Sequence, residues 1–125
     1  MNKTCPCGSQ KALAQCCMPY ITNHSAPTAE ALMRSRYTAF TLHLADYLFQ
    51  TTSLAERRFT SKREILEWAQ QNTWLKLEVL ASTAQTVTFK AYFLDAKGQA
   101  QVHHEKSTFK EVHGKWYYVK GKLEP

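Results

Sequence analysis

Four cysteines, Cys5, Cys7, Cys16 and Cys17, fall within the first seventeen residues and are the only ones in the chain. Their order, C-x-C-x8-C-C, puts four soft ligands close enough to share one metal ion. Zinc takes four thiolates at about 2.3 Å in a closed tetrahedral site. A segment this short cannot fold on apolar burial alone, so metal binding would be its folding energy. Pro6 fixes one backbone torsion between the first two cysteines, and Gly8 lets the chain curl back toward the sulfurs. Residues 10–15 have room for about one helical turn, which returns Cys16 and Cys17 to the metal. A disulfide pair and a redox dithiol are the competing readings. The start of the chain, Met1-Asn2-Lys3-Thr4, lacks the apolar stretch of a secretory signal. That predicts a cytoplasmic setting, where clustered thiols more often bind metal than pair.

A second constellation comes from parity along a strand. Residues 100–112 read as one long strand, so Glu105, Ser107 and Phe109 share a face, and His104, Lys106 and Thr108 share the other. If Phe109 enters the core, Glu105 does too. Arg36 sits on the helical side of Met33, Tyr37 and Phe40, an odd place for a guanidinium. A buried Arg36–Glu105 pair, with Ser107 and Tyr37 beside it, would account for both, since each charge offsets the other's burial cost. Glu105 is then a candidate general base. No second acid or nucleophile accompanies it, so a structural ion pair is favoured over catalysis. His103 and His104 project to opposite faces and cannot chelate together. His24 is a fifth ligand candidate near the cysteines, but four thiolates already fill a tetrahedron.

The elements that must position these residues are readable from period. A stretch over 18–27, bounded by Pro19 and Pro27, reads as a linker. Thr28 is placed to cap a helix, with Glu30 in its first turn. Leu32, Met33, Arg36, Tyr37, Phe40, Leu44 and Leu48 then recur at spacings of three and four. Asp46 is a second cap candidate, breaking that run near residues 41–43. Ser61 with Glu64 forms a capping box for a third helix. After Asn72 the period drops to two, over 74–81 and 86–94. A turn at Asp95-Ala96-Lys97-Gly98 leads into the long strand, and His113-Gly114 turns into a last strand from Lys115 to Lys120. Helices followed by a four-strand meander give an α+β domain with helices on one face of an antiparallel sheet.

Cys5-Pro6-Cys7-Gly8-Ser9 with Cys16-Cys17 resembles the SEC-C motif, a zinc-binding segment seen on the protein-translocation ATPase SecA and on many bacterial proteins. Gln10 stands where that motif usually has glycine. The remainder resembles the bacterial YchJ-like family. The matching segments are Ala26-Pro27-Thr28-Ala29-Glu30, Leu32-Met33-Arg34-Ser35-Arg36-Tyr37, Asp46-Tyr47-Leu48 and Trp74-Leu75-Lys76-Leu77. His104-Glu105-Lys106-Ser107-Thr108-Phe109 and the run from Gly114 to Gly121 complete the set in collinear order. The resemblance implies an NTF2-like (cystatin-like) cone, a curved four-stranded sheet wrapped against N-terminal helices, preceded by a small zinc knuckle. It divides the chain into residues 1–24, motif and linker, and 25–125, the cone. Such cones often hold a pocket, here expected around Arg36, Tyr37, Glu105 and Ser107, and related cones often form homodimers through the sheet.

Composition narrows the function classes. The chain has 125 residues, 44% of them apolar, and a formal charge of +6. That suffices for one domain core, and no apolar run approaches the length of a membrane span. The basic balance favours anionic partners. The leading expectation is a non-enzymatic module whose zinc knuckle, with Lys3 and Lys11, meets a protein or ribosomal partner. An enzyme or small-ligand binder using the Arg36–Glu105 pocket is the alternative. RNA binding is a third, with Tyr117 and Tyr118 as stacking candidates near Lys115, Lys120 and Lys122. Arg57, Arg58, Lys62 and Arg63 form a solvated helix entry or a minor anion patch.

Overall fold

The computed structural model describes residues 3–125. Its first element is a tight cysteine-bearing loop closed by a bridge between Thr4 and Ala12. The Cys5 N–H donates to the Lys11 carbonyl at 2.8 Å. A 3-10 turn over Leu13–Gln15 follows, then helix α1 over Cys17–Asn23. The linker expected over 18–27 is therefore largely helical. Pro19 does not prevent this, because it falls in the first turn, where N–H groups have no intrahelical partner. His24 ends α1 in a left-handed conformation, φ 49°.

Helix α2, Ala29–Thr41, starts as its sequence predicts. Thr28 Oγ1 accepts the Ala31 N–H at 3.0 Å. Helix α3 spans Ala45–Gln50, with Asp46 in its first turn rather than at its cap. A short α4, Leu54–Arg57, was not legible from period alone. Helix α5, Lys62–Gln71, is capped by Ser61, whose hydroxyl accepts the Glu64 N–H at 3.1 Å.

Four strands complete the chain: β1 (Thr73–Ser82), β2 (Thr86–Leu94), β3 (Ala100–Val112) and β4 (Lys115–Leu123). They form an antiparallel meander in the order β1-β2-β3-β4. Irregularities in β1 at Trp74/Lys76 and Val79/Ala81, and between β3 and β4 at Thr108/Phe109, bend the sheet. Val87, Phe89, Ala91 and Phe93 of β2 and Phe109 of β3 are buried on the concave face. Leu32, Met33, Tyr37 and Ala39 of α2 and Leu48 of α3 are buried in the same core. The free edge of β4 is engaged at one point, where the Ser53 N–H donates to Tyr118 O at 2.8 Å and the Tyr118 N–H to Thr51 O at 2.7 Å. Among the described residues, no helix is long and apolar enough to cross a membrane.

Candidate functional site

The four sulfurs converge. All lie within 4.8 Å of one another, with Cys7 and Cys16 Sγ 3.6 Å apart and Cys16 and Cys17 Sγ 4.0 Å apart. Tetrahedral zinc–thiolate geometry places sulfurs about 3.8 Å apart, so the donor set fits one metal ion without large movement. All four cysteines are free. The electrostatics of the cluster point the same way. Hydrogen bonding from Cys17 pulls the Cys7 thiol down to about 4, against the opposing effect of burial. The same contact, with burial, pushes the Cys17 thiol far up. Burial also raises Cys16. The cluster thus concentrates one negative charge on Cys7, and a bound dication would stabilise further thiolates.

The knuckle is not a detached appendage, as its place before a linker had suggested. Cys5, Cys7 and Cys17 are buried within the main core, Cys7 completely. Arg34 of α2 holds the loop: its Nη1 donates to the Cys7 carbonyl at 2.7 Å, and its Nε to Glu30 at 3.0 Å. Cys5 Sγ lies 3.5 Å from Thr38 Oγ1. Gly8, at φ +85°, brings the loop to the Leu77 carbonyl of β1. His24 has no part in the cluster; its ring lies edge-on to Tyr47 and Tyr117.

Gln10 keeps the backbone geometry that glycine would give, at φ 69°. A non-glycine residue there costs roughly 1–2 kcal/mol, and glycine's extra unfolded-state freedom offsets about 0.4–1 kcal/mol of that. Gln10→Gly is therefore expected to stabilise the metal-loaded protein by about 0.5–1 kcal/mol, read as a higher urea midpoint. A lower midpoint would show that the Gln10 side chain contributes something glycine cannot.

Behind α2 lies a cavity of about 180 Å³ between the helices and the concave sheet face. The sequence candidates Arg36, Tyr37, Glu105 and Ser107 all line it. The direct Arg36–Glu105 ion pair does not form. Arg36 instead turns to the C-terminal turn of α3, where its Nη1 donates to Leu48 O at 2.9 Å and to Thr51 Oγ1 at 2.6 Å. The outward-pointing carbonyls and negative end of a helix's last turn favour a guanidinium there. The Tyr118 ring is the group the two charges share. Arg36 Cζ sits 4.8 Å from its centroid, and its hydroxyl donates toward Glu105 at 3.5 Å.

Glu105 has its own partners. His103 Nε2 is 2.7 Å from Oε1, and the Ser107 hydroxyl donates to Oε2. Gly121, opposite Ser107 in the ladder, leaves the space the carboxylate occupies; a Cβ there would overlap it. Burial pushes the Glu105 carboxyl up, but hydrogen bonds from His103 and Ser107, with the charges of His103 and Arg36, hold it below the ordinary range. Burial lowers Arg36 to about 10, which leaves it charged at neutral pH. Burial, then Glu105, pushes Tyr118 up to about 12.

A carboxyl depressed in the fold adds stability above the unfolded value, near 4.3 for glutamate, and loses it as pH falls through the folded value. Glu105→Gln should therefore flatten the acid limb of a stability–pH profile below about pH 4.3. Parallel limbs for the two proteins would contradict this assignment.

Several pocket residues escaped the sequence reading. His103 has the same parity as Glu105 and Ser107, which was the available signal. Trp68, Trp74 and Phe40 form the aromatic wall, with the Trp74 ring 5.5 Å from Phe40 and 6.3 Å from Trp68. By period-two alternation Trp74 shares the parity of Lys76 and Glu78 and points outward, with Leu75 inward. The irregularity at Trp74/Lys76 reverses this, turning Trp74 toward Phe93 and leaving Leu75 exposed. Of the stacking candidates for RNA, Tyr118 faces the cavity, and Tyr117 lies 5.4 Å from His24.

Comparison with known proteins agrees with this geometry. Residues 28–121 match the family model described as the YchJ middle NTF2-like domain, and residues 1–19 match the SEC-C motif. A UPF0225 protein of Geobacter sulfurreducens is 38% identical over 129 residues, covering 97% of this chain and 80% of that protein. The solution structure of a SEC-C motif containing protein from Rhodopseudomonas palustris superposes with a TM-score of 0.88 at 36% identity, covering 98% of this chain and all of that one. A crystal structure of a SEC-C motif containing protein from Psychrobacter arcticus gives 0.81 at 32% identity, covering 98% and 84%. With both segments matched in order and the fold shared throughout, the chain belongs to the YchJ-like family, in which a SEC-C motif precedes an NTF2-like domain.

Proposed function

We propose that the protein is a zinc-stapled small-molecule binder. The four cysteines hold zinc as a closed structural site, with no open coordination position for a catalytic water. The cone behind it takes the ligand. One observation carries this reading: the half-buried Arg36 guanidinium has no carboxylate within 4 Å among the described residues and faces the same cavity as Glu105. Its Nη1 is engaged, while Nε and Nη2 make no hydrogen bond to the described residues.

The cavity's volume and charges define the ligand class. A dry cavity of about 150 Å³ accepts benzene, so the cavity here, at about 180 Å³, suits one six-membered ring with a small polar substituent reaching toward its mouth. An anion would meet Glu105, and a cation would meet Arg36. A neutral planar molecule, with an acceptor for Arg36, an N–H or O–H for Glu105 and a face for Trp74, satisfies all three. Binding is favoured over turnover because the carboxylate, not an imidazole, stands between His103 and Ser107. The serine hydroxyl therefore has no general base of the usual nucleophile-activating kind.

Benzamide, benzoate and benzylamine are suitable probes, detected by ligand-observed NMR on the zinc-loaded protein. Benzamide should bind and the two ions should not. Absence of benzamide binding at millimolar concentration would overturn the reading. A second reading, recognition of a protein by the knuckle, is favoured by Gln10 and Lys11, which stay exposed beside a shallow concavity at Cys16.

A further inference from the structure

The sheet has a second face, turned away from the helices and the pocket. Strand register places on it Lys76 of β1, Lys90 of β2, Lys106 and Lys110 of β3, and Lys120 and Lys122 of β4. Glu78, which accepts the Tyr92 hydroxyl at 2.9 Å, is the carboxylate among them. None of the six lysines has a carboxylate within 4 Å among the described residues. Lys106 stands directly opposite Lys122, while Lys90 lies between Glu78 on one side and His104 on the other. Like charges opposed across a ladder destabilise a sheet. Lysines that only protect an edge would sit on the outer strands, yet β2 and β3 are central.

We propose that this face docks single-stranded RNA. Six lysines against Glu78 within the strands and Glu124 just past β4 leave an excess of cations, which complements a phosphate backbone and would repel the same face of a second copy. Four strands about 4.8 Å apart span roughly 14 Å between the outer pair, wider than a major groove of about 12 Å, so a duplex cannot receive the sheet. A single strand can lie across it. Tyr92 is half-buried at the centre of the face, with Lys76 Nζ 4.6 Å from its ring centroid, and supplies a stacking surface beside a cation. Thr88, opposite Lys106, and Thr108, opposite Lys120, put hydroxyls among the lysines, suited to a ribose 2′-hydroxyl. The exposed Val102 is the one aliphatic residue near the centre, too little for insertion into a membrane.

The test is fluorescence anisotropy of a labelled twelve-nucleotide oligouridylate with the zinc-loaded full chain, from 50 to 300 mM salt. Binding should weaken with salt at a log–log slope of about 3–4, since each single-strand phosphate contact contributes about 0.7. Lys106→Glu/Lys122→Glu should lower affinity more than tenfold at 100 mM salt and reduce the slope by about 1.4. Tyr92→Ala should weaken binding without changing the slope. Arg58→Glu, an exposed residue on the helical side, is the control and should leave binding unchanged. Several results would overturn the proposal: no binding below about 100 μM at 100 mM salt, an unaffected double variant, oligothymidylate bound as tightly as the RNA, or preference for phosphatidylserine vesicles.

Discussion

Stripping the metal with a strong chelator, or replacing Cys17 with serine, is expected to lower the thermal midpoint by more than about 10 °C. The size of the effect follows from where the knuckle sits. Cys5, Cys7 and Cys17 are buried against α2 and β1, so the thiol cluster forms part of the core. Without a dication, the buried sulfurs carry a thiolate that neighbouring thiols, Ser9 and the Arg34 guanidinium stabilise. Structural zinc contributes an apparent 10–16 kcal/mol in isolated finger peptides, comparable to a whole domain's stability of about 5–15 kcal/mol. A loss of even 3 kcal/mol corresponds to about 10–15 °C in a chain of this size. Differential scanning calorimetry with and without chelator, alongside elemental analysis for zinc, is the measurement. An unchanged midpoint on loss of metal would show that the knuckle folds on its contacts with Arg34 and Thr38 alone.

Arg36→Met should abolish benzamide binding, by at least tenfold, while changing stability by no more than about 2 kcal/mol. The variant loses hydrogen bonds to Leu48 O and Thr51 Oγ1, each worth about 1.5–3 kcal/mol when the donor is charged. It also removes a half-buried cation whose desolvation opposes folding. The abandoned groups keep other partners. Thr52 Oγ1 still donates to Leu48 O at 2.8 Å, and Thr51 Oγ1 to Tyr47 O at 2.8 Å. Methionine fills much of the same volume along the wall of Met33 and Tyr37. Urea unfolding beside the NMR titration separates the two effects. Collapse of the fold would make Arg36 a structural residue, and retained binding would place the ligand elsewhere.

Much of this architecture was written in local signals. Thr28 and Ser61 cap their helices, and the period-two alternation of β2 turns Val87, Phe89, Ala91 and Phe93 inward. The cysteine spacing brings four soft donors together, and the sulfurs do lie within 4.8 Å of one another, close enough to share one metal ion. Non-local geometry was less legible. Pro19 signals a break in isolation, yet a proline in a first helical turn signals nothing of the kind. The parity of Glu105 was correct, but its partner depended on where α3 ends and on Tyr118 standing beside both charges. His103 shares the face of Glu105 and Ser107 by parity, but only the closed sheet shows its ring turned onto the carboxylate. The lysine face required strand register: positions far apart in sequence, such as Lys76 and Lys122, share a surface only once the meander is closed.

The central claim is that the Arg36–Glu105 cavity, and not the metal knuckle, receives a small ligand. Mapping NMR chemical shifts during a benzamide titration of the zinc-loaded protein tests it most directly. The account predicts movement of the Arg36 Nε–H and the Trp74 indole N–H, with the amides of Ser9, Lys11 and Cys16 unmoved. Shifts confined to the knuckle, or none in the cavity at saturating probe, would contradict it.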